Sequence, residues 1–172
     1  LRVWFRGRGT GWENGQLQAF VKVGTDASHF YLYRASARTT TWEPEAIIDL
    51  ERWRTLRAEL EQRVLSNEAP SGAAECGGDP TAYVICDGPY LVHIRDPRVS
   101  PPNLGAIQEI SAGFYRILAG APTTESELWI DDIRIAKPVA ETGIAAALGA
   151  HLDASDVASI DLAYSHVDGR FR

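Results

Sequence analysis

Methionine is absent from this chain of 172 residues, and lysine occurs only at Lys22 and Lys137. The formal charge is −6 and the isoelectric point about 5.2. With no clustered basic stretch, the chain is expected not to bind nucleic acid. No apolar run reaches the roughly eighteen residues of a membrane-spanning helix. Two cysteines without matching histidines make no zinc site, and His29, His93, His151 and His166 show no metal-ligand spacing. No nucleophile elbow occurs, and GRGTG near the start is loop composition rather than a phosphate cradle. Glu43 and Glu45 flank Pro44, while Glu125, Glu127, Asp131 and Asp132 lie in or beside one strand-like run. Neighbouring strand residues point to opposite faces, so Asp131 and Asp132 are not expected to work as a facing acid pair. An enzyme is not expected, nor any cofactor.

Short β-prone runs are present instead. LRVWFRG, QLQAFVKVG, HFYLYRA, TAYVIC, YLVHIRD, AIQEISAGFYRIL and ELWIDDIRIA read as strands separated by Gly, Pro, Asp and Ser turn signals. In HFYLYRA, Phe30 and Leu32 share one face and Tyr31 and Tyr33 the other. One segment carries a helical period: Leu50, Trp53, Leu56, Leu60 and Val64 recur every three to four residues, with Asp49 placed to cap them. Residues 66–80 read as a Gly/Ala/Ser/Pro-rich loop. One amphipathic helix among many short strands predicts a mainly β fold, an antiparallel jelly-roll-like β-sandwich over residues 1–138.

Residues 139–172 differ in character. Ile144, Ala146, Leu148, Ala150 and Leu152 fall on one face, opposite Ala145, Ala147, Gly149, His151 and Asp153. After an Asp153-Ala154-Ser155-Asp156 turn signal, Ala158, Ile160, Leu162 and Tyr164 share a face opposite Ser159, Asp161, Ala163 and Ser165. Two alternating strands of about ten residues have the length a tilted strand needs to cross a bilayer. A half-buried hairpin in a soluble sandwich alternates in the same way. Leu1 is not a methionine and Phe171-Arg172 reads as strand, so the chain is expected to be an interior fragment.

The first third is rich in aromatics. Trp12, Trp42, Tyr31 and Tyr33 are the candidates for stacking against sugar rings, with the sandwich core as the competing destination. Asp26, Asp131 and Asp132 are the oxygen ligands available to a structural calcium ion. Cys76 and Cys86 flank a Gly-Gly-Asp-Pro turn, and a disulfide between them and two free thiols are both open.

Six collinear stretches within about residues 17–168 resemble one family: FVKVGTDASHFYLYR, WEPEAIIDLERWRTLRAEL, CDGPYLVHIRDPRV, AIQEISAGFYRI, ELWIDDIRI and LDASDVASIDLAYSH. Together they resemble the SprA (Sov) family, the giant outer-membrane translocon of type IX secretion and gliding motility in Bacteroidetes-like bacteria. The chain departs from the family pattern at Ala112-Gly113-Phe114-Tyr115, and the stretch from Ala73 to Cys86 has no counterpart in it. The resemblance implies a non-catalytic translocon segment at the outer membrane and cell surface. Residues 139–172 are then the first strands of a barrel. Its implied partners are secreted cargo, other secretion components and, at the hairpin, outer-membrane lipid. The alternative expectation is a carbohydrate-binding β-sandwich module of a secreted glycan-active or adhesion protein, which predicts an exposed row of Trp and Tyr.

Overall fold

The computed structural model describes residues 1–42, 46–98, 101–118, 125–135, 145–154 and 158–167. Glu43, Pro44, Glu45, Ile144, residues 119–124, and Ser155 and Asp156 of the expected turn lie outside the described residues, whereas Asp153 and Ala154 of that turn belong to a strand. The chain divides into two units, Leu1–Ala136 and Lys137–Arg172. With 48% strand and 14% helix the protein is mainly β. Every described strand pair is antiparallel, and none of the sheets closes into a barrel.

The first unit holds two sheets. β2 (Leu17–Gly24), β3 (His29–Ala35), β5 (Tyr83–Asp87), β6 (Tyr90–Ile94) and β7 (Glu109–Arg116) form a five-stranded sheet in the order β5-β6-β3-β2-β7. β1 (Arg2–Gly9), β4 (Ala46–Ile47) and β8 (Ser126–Arg134) form a three-stranded sheet in the order β4-β1-β8. Strand parity sends Val3 and Phe5 of β1, and Ala19, Val21 and Val23 of β2, into one core, against which Leu128 and Ile130 of β8 pack. Tyr31 enters the same core, whereas Phe30 and Leu32 pack with a second apolar cluster.

Helix α1 (Leu50–Leu65) covers β5 and β6. The Asp49 carboxylate accepts from the Glu51 N–H at 3.0 Å, satisfying one of the donors a helix start leaves open. Trp53, Leu56 and Leu60 are its buried stripe. The Trp53 ring lies 5.5 Å from that of Tyr31 and 6.2 Å from that of Tyr90, and its indole N–H donates to the Leu32 carbonyl at 3.2 Å. A buried indole therefore fills volume without leaving its polar atom orphaned.

The loop expected at 66–80 contains a helical turn, α2 (Ala73–Cys76), that composition did not reveal. Cys76 and Cys86 form a disulfide. Cys76 and Ala82 pack on Val84 and Leu91, so the tethered loop shields part of the second face of the five-stranded sheet. Burying that surface, not local propensity, holds the turn. The Arg34 guanidinium donates to the Cys76 carbonyl from beneath.

The second unit is a two-stranded sheet of β9 (Ala145–Ala154) and β10 (Ala158–Val167), paired without a register break from Ala145↔Val167 to Ala154↔Ala158.

Candidate functional site

The outward face of the three-stranded sheet follows from the parity of β1. If Val3 and Phe5 point inward, Trp4, Arg6 and Arg8 point outward. In register with them stand Asp131, Trp129 and Glu127 of β8, opposite Trp4, Arg6 and Arg8 respectively. Guanidiniums lie over the rings: Arg134 is 5.1 Å from the Trp4 ring, and Arg6 and Arg8 are each 5.7 Å from that of Trp129. The Trp129 indole donates to Glu127 at 3.2 Å.

A third tryptophan joins this face from outside the strands. The segment before Trp42 is fastened to β1 by the Gly7 N–H donating to the Arg38 carbonyl at 2.9 Å and Arg6 Nε donating to the Thr39 carbonyl at 3.3 Å. The Glu13 carboxylate accepts from both the N–H and the hydroxyl of Thr39, at 2.8 and 2.6 Å. Those Thr39 bonds hold the Glu13 carboxyl below its ordinary range. Trp42, Trp4, Asp131, Asp132 and Arg134 then line one open cleft of about 390 Å³.

The two aspartates share this cleft because β8 does not alternate through it. The register passes from Trp4↔Asp131 to Arg2↔Arg134, so β8 carries one residue more than β1 over that step. Asp132 takes φ +50°, a left-handed conformation that Asp tolerates better than most residues. Such a bulge re-aims a side chain. The expectation that neighbouring strand residues must face apart therefore fails here. Asp132 is bound to Arg134 at 3.2 Å, while Asp131 has no partner among the described residues.

The other expected site residues go elsewhere. Trp12 is buried on Gly7, where a Cβ would sit 2.5 Å from its ring. Its ring lies 5.1 Å from that of Phe114, tilted by 56°, and its indole N–H donates to the Arg8 carbonyl at 3.2 Å. Tyr31 is buried, with its hydroxyl donating to the Pro102 carbonyl at 2.6 Å, and desolvation pushes its ionisation up. Tyr33 is half-buried against Tyr90 at 5.0 Å. Neither Trp12 nor Tyr31 has a free ring face for a ligand. Of the four expected stacking residues only Trp42 is exposed.

Asp26 does not meet Asp131 and Asp132. It closes a turn, accepting from the N–H groups of Ser28 and His29 at 2.6 and 2.9 Å and from the His29 ring at 3.0 Å. The Ser28 bond, then the His29 ring, hold its carboxyl below the ordinary range. The three aspartates therefore form no shared calcium site, and among the described residues no group of three metal-ligating side chains occurs.

Trp129 and Arg134 were missed, and Trp4, one of the aromatics clustered in the first third, was not singled out. Their signal is the alternation of Arg with Trp in RVWFRGR and of acid with Trp in ELWID: a tryptophan sharing a strand face with charged residues faces water.

The second unit presents a different kind of surface. Leu148 and Ala150 stand in register with Tyr164 and Leu162, placing all four on one face. Leu148 is 69% exposed, and Leu152, Leu162 and Tyr164 are exposed to a similar degree. On the opposite face Gly149 pairs with Ala163 and Ala147 with Ser165, and the His151 ring bonds the Asp161 carboxylate. No family model, no curated protein and no solved structure matches the chain.

Proposed function

We propose that this chain is a non-catalytic segment of an outer-membrane protein-export translocon of the SprA kind, serving type IX secretion and gliding motility at the cell surface. The first unit is its jelly-roll-like module, and the hairpin supplies the first strands of its barrel. Secreted cargo and other secretion components are its partners, and lipid contacts the apolar hairpin face.

One observation carries this reading: β9 and β10 are ten residues each, fully in register, with an uncovered apolar face backed by small and polar residues. Ten residues is the span of a tilted strand across a bilayer. A lone hairpin is at best marginally stable in water, because its edges and apolar face lack partners. A closed barrel supplies strands to the edges and lipid to the face. Ala147, Gly149, Ala163 and Ser165 suit a lumen-facing surface better than long charged side chains, which would narrow a conduit for folded cargo.

The test is face-specific. In cells that make the protein, Leu148→Arg combined with Leu162→Arg should stop delivery of secreted cargo to the cell surface. Ala147→Ser combined with Ala163→Ser, on the other face, should leave it intact. Normal delivery by the doubly charged variant would contradict the reading.

A further inference from the structure

The chain has five tryptophans. Trp12 and Trp53 are core residues, 4% and 0% exposed. The other three, Trp4, Trp42 and Trp129, are gathered on the outward face of one three-stranded sheet. Trp42 is 40% and Trp129 43% exposed, so packing within the protein does not account for their grouping. Clustered aromatics at a rimmed cleft mark a binding surface.

The polar groups among the rings narrow the ligand. Asp131 and Asp132 are acceptors only when ionised, and Arg134 is a donor only. An anionic ligand meets two carboxylates at the cleft. A cationic ligand finds the Trp4 ring already covered by the Arg134 guanidinium at 5.1 Å. A hydroxyl group both donates and accepts, so it serves Asp131 and Arg134 at once. A sugar ring adds an apolar C–H face that an indole can cover.

The face also offers more than one contact position. Trp129 stands opposite Arg6, two residues along the sheet from the Trp4↔Asp131 pair, and borders a second cleft of about 340 Å³ with Arg6, Arg8 and Thr39. Diagonal neighbours on an antiparallel pair lie about 7–8 Å apart. A ligand reaching both clefts is a chain, not a single ring.

We propose that the outward face of the β4-β1-β8 sheet binds a neutral glycan chain. One sugar stacks on Trp42 with its hydroxyls donating to Asp131 and accepting from Arg134, and a further sugar lies against the exposed part of Trp129, its hydroxyls accepting from the Arg6 and Arg8 guanidiniums that flank that ring. This assignment is independent of the export function, since it needs nothing from the hairpin.

The whole chain, held in a polyoxyethylene detergent that contains no sugar, is titrated with cellohexaose, mannohexaose, xylohexaose, glucose and tetramethylammonium chloride. Binding is read by intrinsic tryptophan fluorescence and by calorimetry. At least one hexasaccharide should saturate the protein, and glucose should bind far more weakly. Trp42→Ala and Trp129→Ala should each weaken that hexasaccharide about tenfold or more, and Asp131→Ala about fivefold. The far-ultraviolet spectrum should not change, because the truncated side chains are exposed. No saturation by any hexasaccharide up to about 10 mM would overturn the proposal. So would hexasaccharide binding that survives the Trp42→Ala, Trp129→Ala double variant, or Trp42-dependent binding of tetramethylammonium in place of any glycan.

Discussion

β2 in the first unit and β9 in the second are both alternating strands, yet their apolar faces meet different fates. Ala19, Val21 and Val23 of β2 are buried in one core with Val3 and Phe5 of β1, Tyr31 and Trp53. Leu148 and Leu152 of β9 carry the same period and remain open. Alternation thus specifies a two-faced strand but not what covers the apolar face. The outward side of β1 adds a third outcome. There the uncovered residues are tryptophans interleaved with arginines, a mixed surface unlike the apolar face of β9.

The contrast can be broken by substitution. Trp53→Ala removes a fully buried ring and should cost about 3–5 kcal/mol in chemical unfolding of the first unit. Leu162→Ala should leave that transition unmoved. Equal shifts from the two would mean that the hairpin face belongs to the same core. In a bilayer the order should reverse for charge. Leu148→Arg should cost about 2–4 kcal/mol where the residue meets the lipid midplane, measured by unfolding from vesicles.

Replacing both Cys76 and Cys86 with Ser should cost about 2–3 kcal/mol, because the bridge closes a loop of ten residues in sequence separation. Reductant should reproduce that loss in the parent and do nothing further to the variant. The smallest effect concerns acid. Asp26 is held below its ordinary value by Ser28 and His29, so its carboxylate stabilises the fold fully above about pH 4. That contribution disappears as the pH falls through the depressed folded value. Asp26→Asn should therefore lower the melting temperature slightly at pH 6, with the gap to the parent closing toward pH 2. A gap that widens with acid would contradict this sign.

Much of the first unit was legible because its strands are bounded by turn residues. The helix was legible from Asp49 and the Leu50-Trp53-Leu56-Leu60 spacing. α2 escaped notice because a four-residue turn has no period to detect, and a disulfide and the surface beneath it hold it in place. β4, two residues long, is equally invisible. At the candidate site, aromatic enrichment singled out Trp42 but otherwise residues away from the outward face. Trp12 and Tyr31 are in the core, while Trp4 and Trp129 are outside, a distinction carried by the neighbours on each strand face. The bulge at Asp132 could not be read from alternation, since it is the place where alternation stops. The apolar face of the hairpin, by contrast, was fully written in Leu148, Leu152, Leu162 and Tyr164, though period alone cannot say whether protein or lipid covers it.

That last question can be measured directly. Because the two native cysteines are joined, a cysteine introduced at one position carries a nitroxide label there alone. Labels at Leu148, Ala147, Leu162 and Ala163 are compared in outer membranes for collision with oxygen, which concentrates in lipid, and with a water-soluble nickel chelate. A barrel hairpin should show Leu148 and Leu162 accessible to oxygen, and Ala147 and Ala163 accessible to the chelate. Labels at all four positions meeting the chelate equally, or Leu148 and Leu162 shielded from both, would contradict the lipid-facing assignment.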